Sequence, residues 1–261
     1  MSTLVLRSAA RLWFVVAVTG QLIFVYYIAV FYGGPALRGD VQSWNKVLLQ
    51  GYAAGHTIRN LALSAHLLLA ATITFCGALQ LIPQVRARFP RVHRWIGRIY
   101  IPIAMIMGAS ALYLILSGRR LRLDVTQHVA LGINALLIML CAALAWRYAV
   151  ARDLDAHRRW ALRLFLVVSG AWFLRVGLMF WVFLNGTAEA FDPRTFQGPV
   201  LSFLSFSQYL VPLAVLELYL HAQDRAGAFG RVAMAAGLFV MTVAMGVGIV
   251  SATMFMWLPR L

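Results

Sequence analysis

Four histidines, His66, His93, His128 and His157, are separated by 27, 35 and 29 residues. Spacings of that length put one imidazole on each of four successive long helices. Because successive helices run in opposite directions, His66 and His128 share one half of the layer and His93 and His157 the other. The two pairs are then roughly 20 Å apart at 1.5 Å rise per residue. Two imidazoles facing each other across a bundle core suit axial coordination of one haem iron. Two such pairs at opposite faces would form a wire for electrons across the layer. No CxxCH attachment motif is present, so any haem is non-covalent, b type. The plainer reading stands beside this one: a single interfacial His commonly serves headgroup contact or structure.

The residues around the second pair repeat. His93-Arg94-Trp95-Ile96-Gly97-Arg98 is echoed, with one residue inserted, by His157-Arg158-Arg159-Trp160-Ala161-Leu162-Arg163. A His to ligate iron, arginines to hold propionates and an indole to wall the pocket would make a cofactor site, since a guanidinium matches a carboxylate bidentately. The same residues also suit an ordinary membrane-surface belt, with Arg for headgroups and Trp for the interface. Arg175 lies eighteen residues beyond His157, about 27 Å along a helix, near the depth of the first pair. A guanidinium facing lipid is costly, so Arg175 is expected to meet a buried anion or to bond helix carbonyls. Gln80 is placed to bond a cofactor edge or another helix. Gln21, Asn134 and Glu217 are the other polar intrusions, Glu217 being placed to reach water or an Arg. Gly77, Gly108, Gly132 and Gly170 leave room for close approach, which suits a flat macrocycle or simple helix packing. Cys76 and Cys141 both sit in apolar runs and read as inert thiols.

The elements that must position these groups follow from composition. Of 261 residues 62% are hydrophobic and 12% charged, against about 45–50% and roughly 25% in soluble domains. A helix needs about 20 mainly apolar residues to cross the hydrocarbon layer. Seven segments qualify: 12–32, 61–83, 95–117, 128–150, 160–184, 201–221 and 232–257. The expected fold is all-α, a polytopic membrane helix bundle in one domain, 1–261. Its four-helix core occupies 61–185, and the spans 12–32, 201–221 and 232–257 flank it. Phe89-Pro90 marks a helix start, Thr126 and Asp155 are candidate caps, and Gly33-Gly34-Pro35 closes the first span. That span is long, aromatic and without a small-residue cleavage site, so it reads as an uncleaved helix.

The net charge of +15 comes from 23 basic residues against eight acids. Because the arginines fall between apolar runs, they orient the chain in a bilayer rather than bind nucleic acid. Fourteen of the basic residues fall on the N-terminal side of the layer and eight on the other. A bacterial inner (cytoplasmic) membrane location follows, multi-pass, with the N-terminus cytoplasmic and the C-terminus outside. The Arg119–Arg122 cluster runs against that count. No HExxH, P-loop, GxSxG or Rossmann fingerprint is present.

The run from His66 through Gly77-Ala78-Leu79-Gln80, Arg86, Arg88, Pro90 and His93-Arg94-Trp95-Ile96-Gly97-Arg98-Ile99-Tyr100 resembles a family of predicted bacterial membrane proteins known only as a domain of unknown function. His157-Arg158-Arg159-Trp160 and Arg175 fit its second half. That resemblance covers about residues 61 to 185 and implies a multi-span fold without an activity. A weaker similarity is to cytochrome b561 and its diheme relatives, in which one His on each of four successive helices holds two b haems, paired alternately. His66 with His128, and His93 with His157, match that plan. The similarity also implies a quinone or ascorbate as electron partner.

The leading expectation is therefore an integral-membrane, b-type cytochrome-like electron carrier with two bis-His sites, a membrane oxidoreductase. Arg175, Arg94, Arg98, Arg158 and Arg163 are its candidate anion anchors. One rival is a membrane enzyme acting on a lipid or quinone with a non-haem metal or His acid/base chemistry. The other is an accessory subunit whose polar residues only fix packing and topology.

Overall fold

The computed structural model describes residues 1–48, 51–117, 124–186, 192 and 195–261. The Arg119, Arg120, Arg122 and Arg194 of the charge count lie outside the described residues. Ten α-helices follow one another: α1 Ser2–Ile28, α2 Gly34–Leu37, α3 Thr57–Leu81, α4 Pro83–Arg88, α5 Pro90–Ser117, α6 Val125–Val150, α7 Leu154–Val168, α8 Gly170–Asn185, α9 Pro199–Asp224 and α10 Ala228–Ala252. Six spans, each a continuous apolar helix or a run of helical segments, are long enough to cross a membrane, and the pair α7–α8 has the length of a seventh. Phe75, Leu136, Leu140, Phe239 and Val243 lie well inside their helices and face outward. That arrangement is stable where the surroundings are hydrocarbon rather than water. The chain is an all-α polytopic membrane bundle.

Several expected boundaries shift for local reasons. The first span does not close at Gly33-Gly34-Pro35. A π turn, Ala29–Gly33, leads into α2, with Pro35 in the first helical turn where a missing N–H costs nothing. Gly39, at φ +74°, follows α2 in the left-handed region. The cap of α6 is Asp124 rather than Thr126: its carboxylate accepts from Gln127 N at 2.7 Å. The cap of α7 is Asp153 rather than Asp155, accepting from Ala156 N at 3.0 Å. In both, the side chain serves the backbone N–H three residues on, which otherwise has no partner at a helix start.

The expected fifth span, 160–184, is not one helix. It breaks at Ser169 and bends by 53° into α8. Ser169 Oγ donates back to Phe165 O at 2.7 Å and accepts from Gln21 Nε2 of α1 at 2.9 Å. A serine that bonds the preceding turn and a glycine that leaves the next turn unshielded together make a common kink. The space where Gly170 lacks a Cβ is approached by Asn134 Nδ2 and Gln208 Oε1. Gln21, Asn134, Ser169, Ser205 and Gln208 thus form a buried polar belt around the break.

α3 packs on α5, α5 on α6, α6 on α7, and α7 reaches back to α3. These four close a ring in which α3 faces α6, and α5 faces α7, across the interior. α9 packs on α6, α7 and α8; α1 packs on α3 and α10, and α10 on α8. The near end of the layer carries the N-terminus, α4 and the α6–α7 and α9–α10 turns. The far end carries α2 and the C-terminus.

Gly248 sets the contact between α10 and α8. A Cβ there would lie 2.5 Å from Val176 O and 2.7 Å from Val176 Cγ1, whereas one at Gly246 would meet nothing within 4 Å. Gly248→Ala should therefore cost about 1–3 kcal/mol in unfolding from detergent micelles. Gly246→Ala should stay within about 0.5 kcal/mol of wild type. Equal effects of the two would contradict this helix contact.

Candidate functional site

At the near end, Pro90 starts α5 and Asp153 caps α7, which puts His93 and His157 in the first turns of helices facing each other across the ring. His157 Nδ1 lies 2.9 Å from Ala145 O of α6. A carbonyl only accepts, so the Nδ1 proton is committed there and Nε2 keeps its lone pair. Arg86, His157 and Arg94 lie within electrostatic reach of His93, and no hydrogen bond joins the two imidazoles among the described residues. Gln80 Nε2 donates to His93 O at 3.0 Å, the helix-to-helix role open to it from sequence. His93 Nδ1 is buried without a partner among the described residues.

The sequence echo is also a structural one. Arg98 lies over the Trp95 ring at 5.3 Å and Arg163 over Trp160 at 4.7 Å, each three residues on along its helix. The two then differ. Trp95 is 63% exposed, whereas Trp160 packs against the core of the ring. Arg163 is held bidentately by Glu217 of α9 at 2.8 and 3.0 Å, and Arg159 by Asp224 at 2.7 Å. Arg163 therefore already has a carboxylate. Arg94, Arg98 and Arg158 are exposed, with no ion pair among the described residues.

At the far end, His66 Nδ1 lies 3.1 Å from Ser110 Oγ of α5, whose hydroxyl donates to Met107 O at 3.0 Å. With the Ser110 proton committed, the imidazole Nδ1–H is the donor and Nε2 is again bare. His128 repeats the pattern, with Nδ1 2.8 Å from Asp124 O. In the neutral form, a ring anchored this way has Nε2 as its unprotonated nitrogen, and three of the four rings are so anchored. His66 and His128 stand on facing helices, with no contact between them among the described residues. Gly132, one turn along from His128, has nothing within 4 Å of where a Cβ would be. Gly77, Gly108 and Gly170 are instead filled by Tyr100, Met139 and Asn134. No group of three or more His, Cys, Asp or Glu converges to hold a metal among the described residues.

Arg175 on α8 donates to Ala171 O at 2.7 Å, and its guanidinium lies 5.4 Å over Phe24 of α1. It acts electrostatically on both His66 and Tyr32. The flanking helices α1 and α10 bring an aromatic wall up to Arg175, with Phe24, Tyr27 and Trp257 packed on one another. Phe24, Tyr27 and Phe31/Tyr32 recur at helical spacing, the signal that would have found this wall. Ser169, Ser205 and Gln208 of the polar belt went unnoticed because single short polar residues barely dent an apolar run.

Asp124 positions His128. Its carboxylate accepts from Ser202 Oγ of α9 at 2.6 Å, while its carbonyl takes the His128 bond. The Ser202 hydroxyl above all, then the Gln127 and Thr126 N–H groups and His128, hold the carboxyl below its ordinary value against the opposing effect of burial. A depressed folded pKa stabilises fully above the unfolded value, near 3.9, and that gain is lost as pH falls through the folded one. Asp124→Ala should cost about 1 kcal/mol at pH 7 as a lost cap. The gap from wild type should narrow below about pH 4 in thermal unfolding. A pH-independent gap would contradict the role of the charge.

The profile of a family described as "Predicted membrane protein (DUF2306)" matches residues 63–206, more than half of the chain. No curated protein and no solved structure matches it. The matched stretch begins just before His66 and takes in most of α3, all of α5, α6, α7 and α8 and the start of α9, so the chain belongs to the DUF2306 family of membrane proteins.

Proposed function

We propose that the chain is a membrane electron carrier holding two b haems, one between His93 and His157 and one between His66 and His128. The observation that carries this reading is the shared state of His66, His128 and His157. Each commits its Nδ1 proton to an oxygen and keeps Nε2 bare, the arrangement that orients a metal-ligating imidazole and raises its basicity. A haem asks only two side chains of the protein, here one from each of two helices across the ring. A haem held by these residues would supply one-electron transfer.

The protein's own part is positional. Ala145 O, Asp124 O and Ser110 Oγ fix the ring orientations, and apolar helix surface around them excludes water. Arg94, Arg98 and Arg158 remain free to meet propionates at the near end. In this reading the near end, richer in arginine, faces the cytoplasm of a bacterial inner membrane. Donor and acceptor are small redox carriers, a quinone among them.

Protein purified from haem-replete cells should show a Soret band and a narrow α-band on reduction. His93→Ala and His157→Ala should each remove the same spectral component and leave the other; His66→Ala and His128→Ala should remove the second. Colourless protein, or four variants with full pigment, would overturn the proposal.

A further inference from the structure

A cavity of about 240 Å³ opens at the near end between α7 and α9, on the outer side of the four-helix ring. Asp155, Arg158, Arg159 and Leu162 line it from α7, and Leu220, Gln223 and Asp224 from α9. α7 leaves the near end and α9 returns to it, so on both walls the charged residues stand at the membrane surface and a leucine lies one turn deeper. Just beyond the leucines Arg163 and Glu217 neutralise each other, so the charge open to a ligand is at the mouth.

The four charges of that mouth are not equivalent. Arg159 and Asp224 are paired at 2.7 Å. Asp155 is within electrostatic reach of Arg159, but neither Asp155 nor Arg158 makes an ion pair among the described residues. Two arginines against two aspartates leave no net charge, yet one cation and one anion stay open, three residues apart on one helix face. A simple anion meets repulsion from the aspartates and a simple cation from the arginines, whereas a ligand carrying both signs a few bonds apart is attracted at each end. Along α7 the order from the surface inward is acid, base, apolar. Arg158 lies about 4.5 Å deeper than Asp155, and Leu162 about 6 Å deeper again, at 1.5 Å per residue. A phospholipid with an amine head has the same order: ammonium outermost, phosphate two carbons in, then glycerol and chains.

The volume corresponds to about eight waters at roughly 30 Å³ each, the size of a head group rather than of a whole lipid or a macrocycle. A phosphate accepts from arginine bidentately, and a primary ammonium brings three N–H donors for carboxylates and an amide oxygen. A quaternary ammonium brings none and is recognised by aromatic rings, and none of the seven lining residues is aromatic.

We infer that this cavity holds the head group of a zwitterionic phospholipid with a primary amine, of the phosphatidylethanolamine kind. Its phosphate meets Arg158, its ammonium meets Asp155 and the Gln223 amide oxygen, and its glycerol end rests on Leu162 and Leu220. In the bilayer Arg158 is then engaged here, which leaves Arg94 and Arg98 for a propionate; the site itself needs no haem.

The test is thermal unfolding of the purified full chain in an uncharged maltoside detergent. The probes are dilauroyl phosphatidylethanolamine, phosphatidylcholine and phosphatidylglycerol, and free O-phosphoethanolamine. Phosphatidylethanolamine should raise the unfolding midpoint saturably, at a mole fraction several-fold lower than either other lipid. Arg158→Gln should weaken that response by about tenfold, the value of a charged hydrogen bond. Asp155→Asn should abolish the preference over phosphatidylcholine, and it carries the test if Arg158→Gln does not fold. Arg91→Gln, an exposed near-end arginine on α5, should respond as wild type.

No response to phosphatidylethanolamine, an equal response to phosphatidylcholine or phosphatidylglycerol, or a wild-type response in both cavity variants would each overturn the inference. Free O-phosphoethanolamine acting at the concentration of the lipid would overturn the bilayer as its source. Pigment plays no part in the readout, so the haem proposal stands or falls separately.

Discussion

Inside hydrocarbon a polar atom has no water to turn to, so each one must find its partner within the protein. That constraint runs through every part of this bundle. Helices satisfy the backbone, and the few places where the helical ladder stops are the places where side chains gather. The break after α7 is the clearest. Ser169 bonds its own preceding turn, Gln21 reaches over from α1 to hold Ser169, and Asn134 and Gln208 crowd the position where Gly170 has no side chain. One hydrogen bond ties α1 to the break, and the amides of Asn134 and Gln208 bring α6 and α9 close against it.

The same constraint governs the imidazoles. A histidine in an apolar layer must place its one proton, and His66, His128 and His157 place it on Ser110 Oγ, Asp124 O and Ala145 O. Doing so leaves the other nitrogen of each ring as an unshared electron pair facing away from its anchor. The rings are held by helix boundaries as much as by bonds. Asp124 begins α6 and anchors His128 through its carbonyl while its carboxylate ties α6 to Ser202 of α9. Satisfying a helix terminus and orienting a candidate ligand are one arrangement here.

The atoms left without partners mark what the bundle has not supplied from within. Trp257 Nε1 at the far end and His93 Nδ1 at the near end are two such atoms among the described residues. Arg163 and Arg159 show the contrasting solution, in which Glu217 and Asp224 close the charge internally. Two arginines with the same local sequence context, Arg98 and Arg163, thus differ in availability because only one has an acid on the adjoining helix.

The amino-acid sequence by itself determined that this is a helical membrane bundle and that four histidines sit one to a helix at two depths; it left Glu217 between water and an Arg, and Gln80 between a cofactor edge and another helix. Apolar run length and residue spacing are one-dimensional quantities, and helix formation in a bilayer reads them directly. The tertiary structure alone decided the rest: the break at Ser169, the caps at Asp124 and Asp153, the filling of Gly77 by Tyr100, and the aromatic wall that α1 and α10 set beside Arg175. Each of these depends on a partner distant in sequence. Gln21 lies 148 residues from the Ser169 it holds, and Ser202 lies 78 from Asp124. No local pattern encodes such a meeting, because it is the packing of whole helices that brings the two groups within bonding distance.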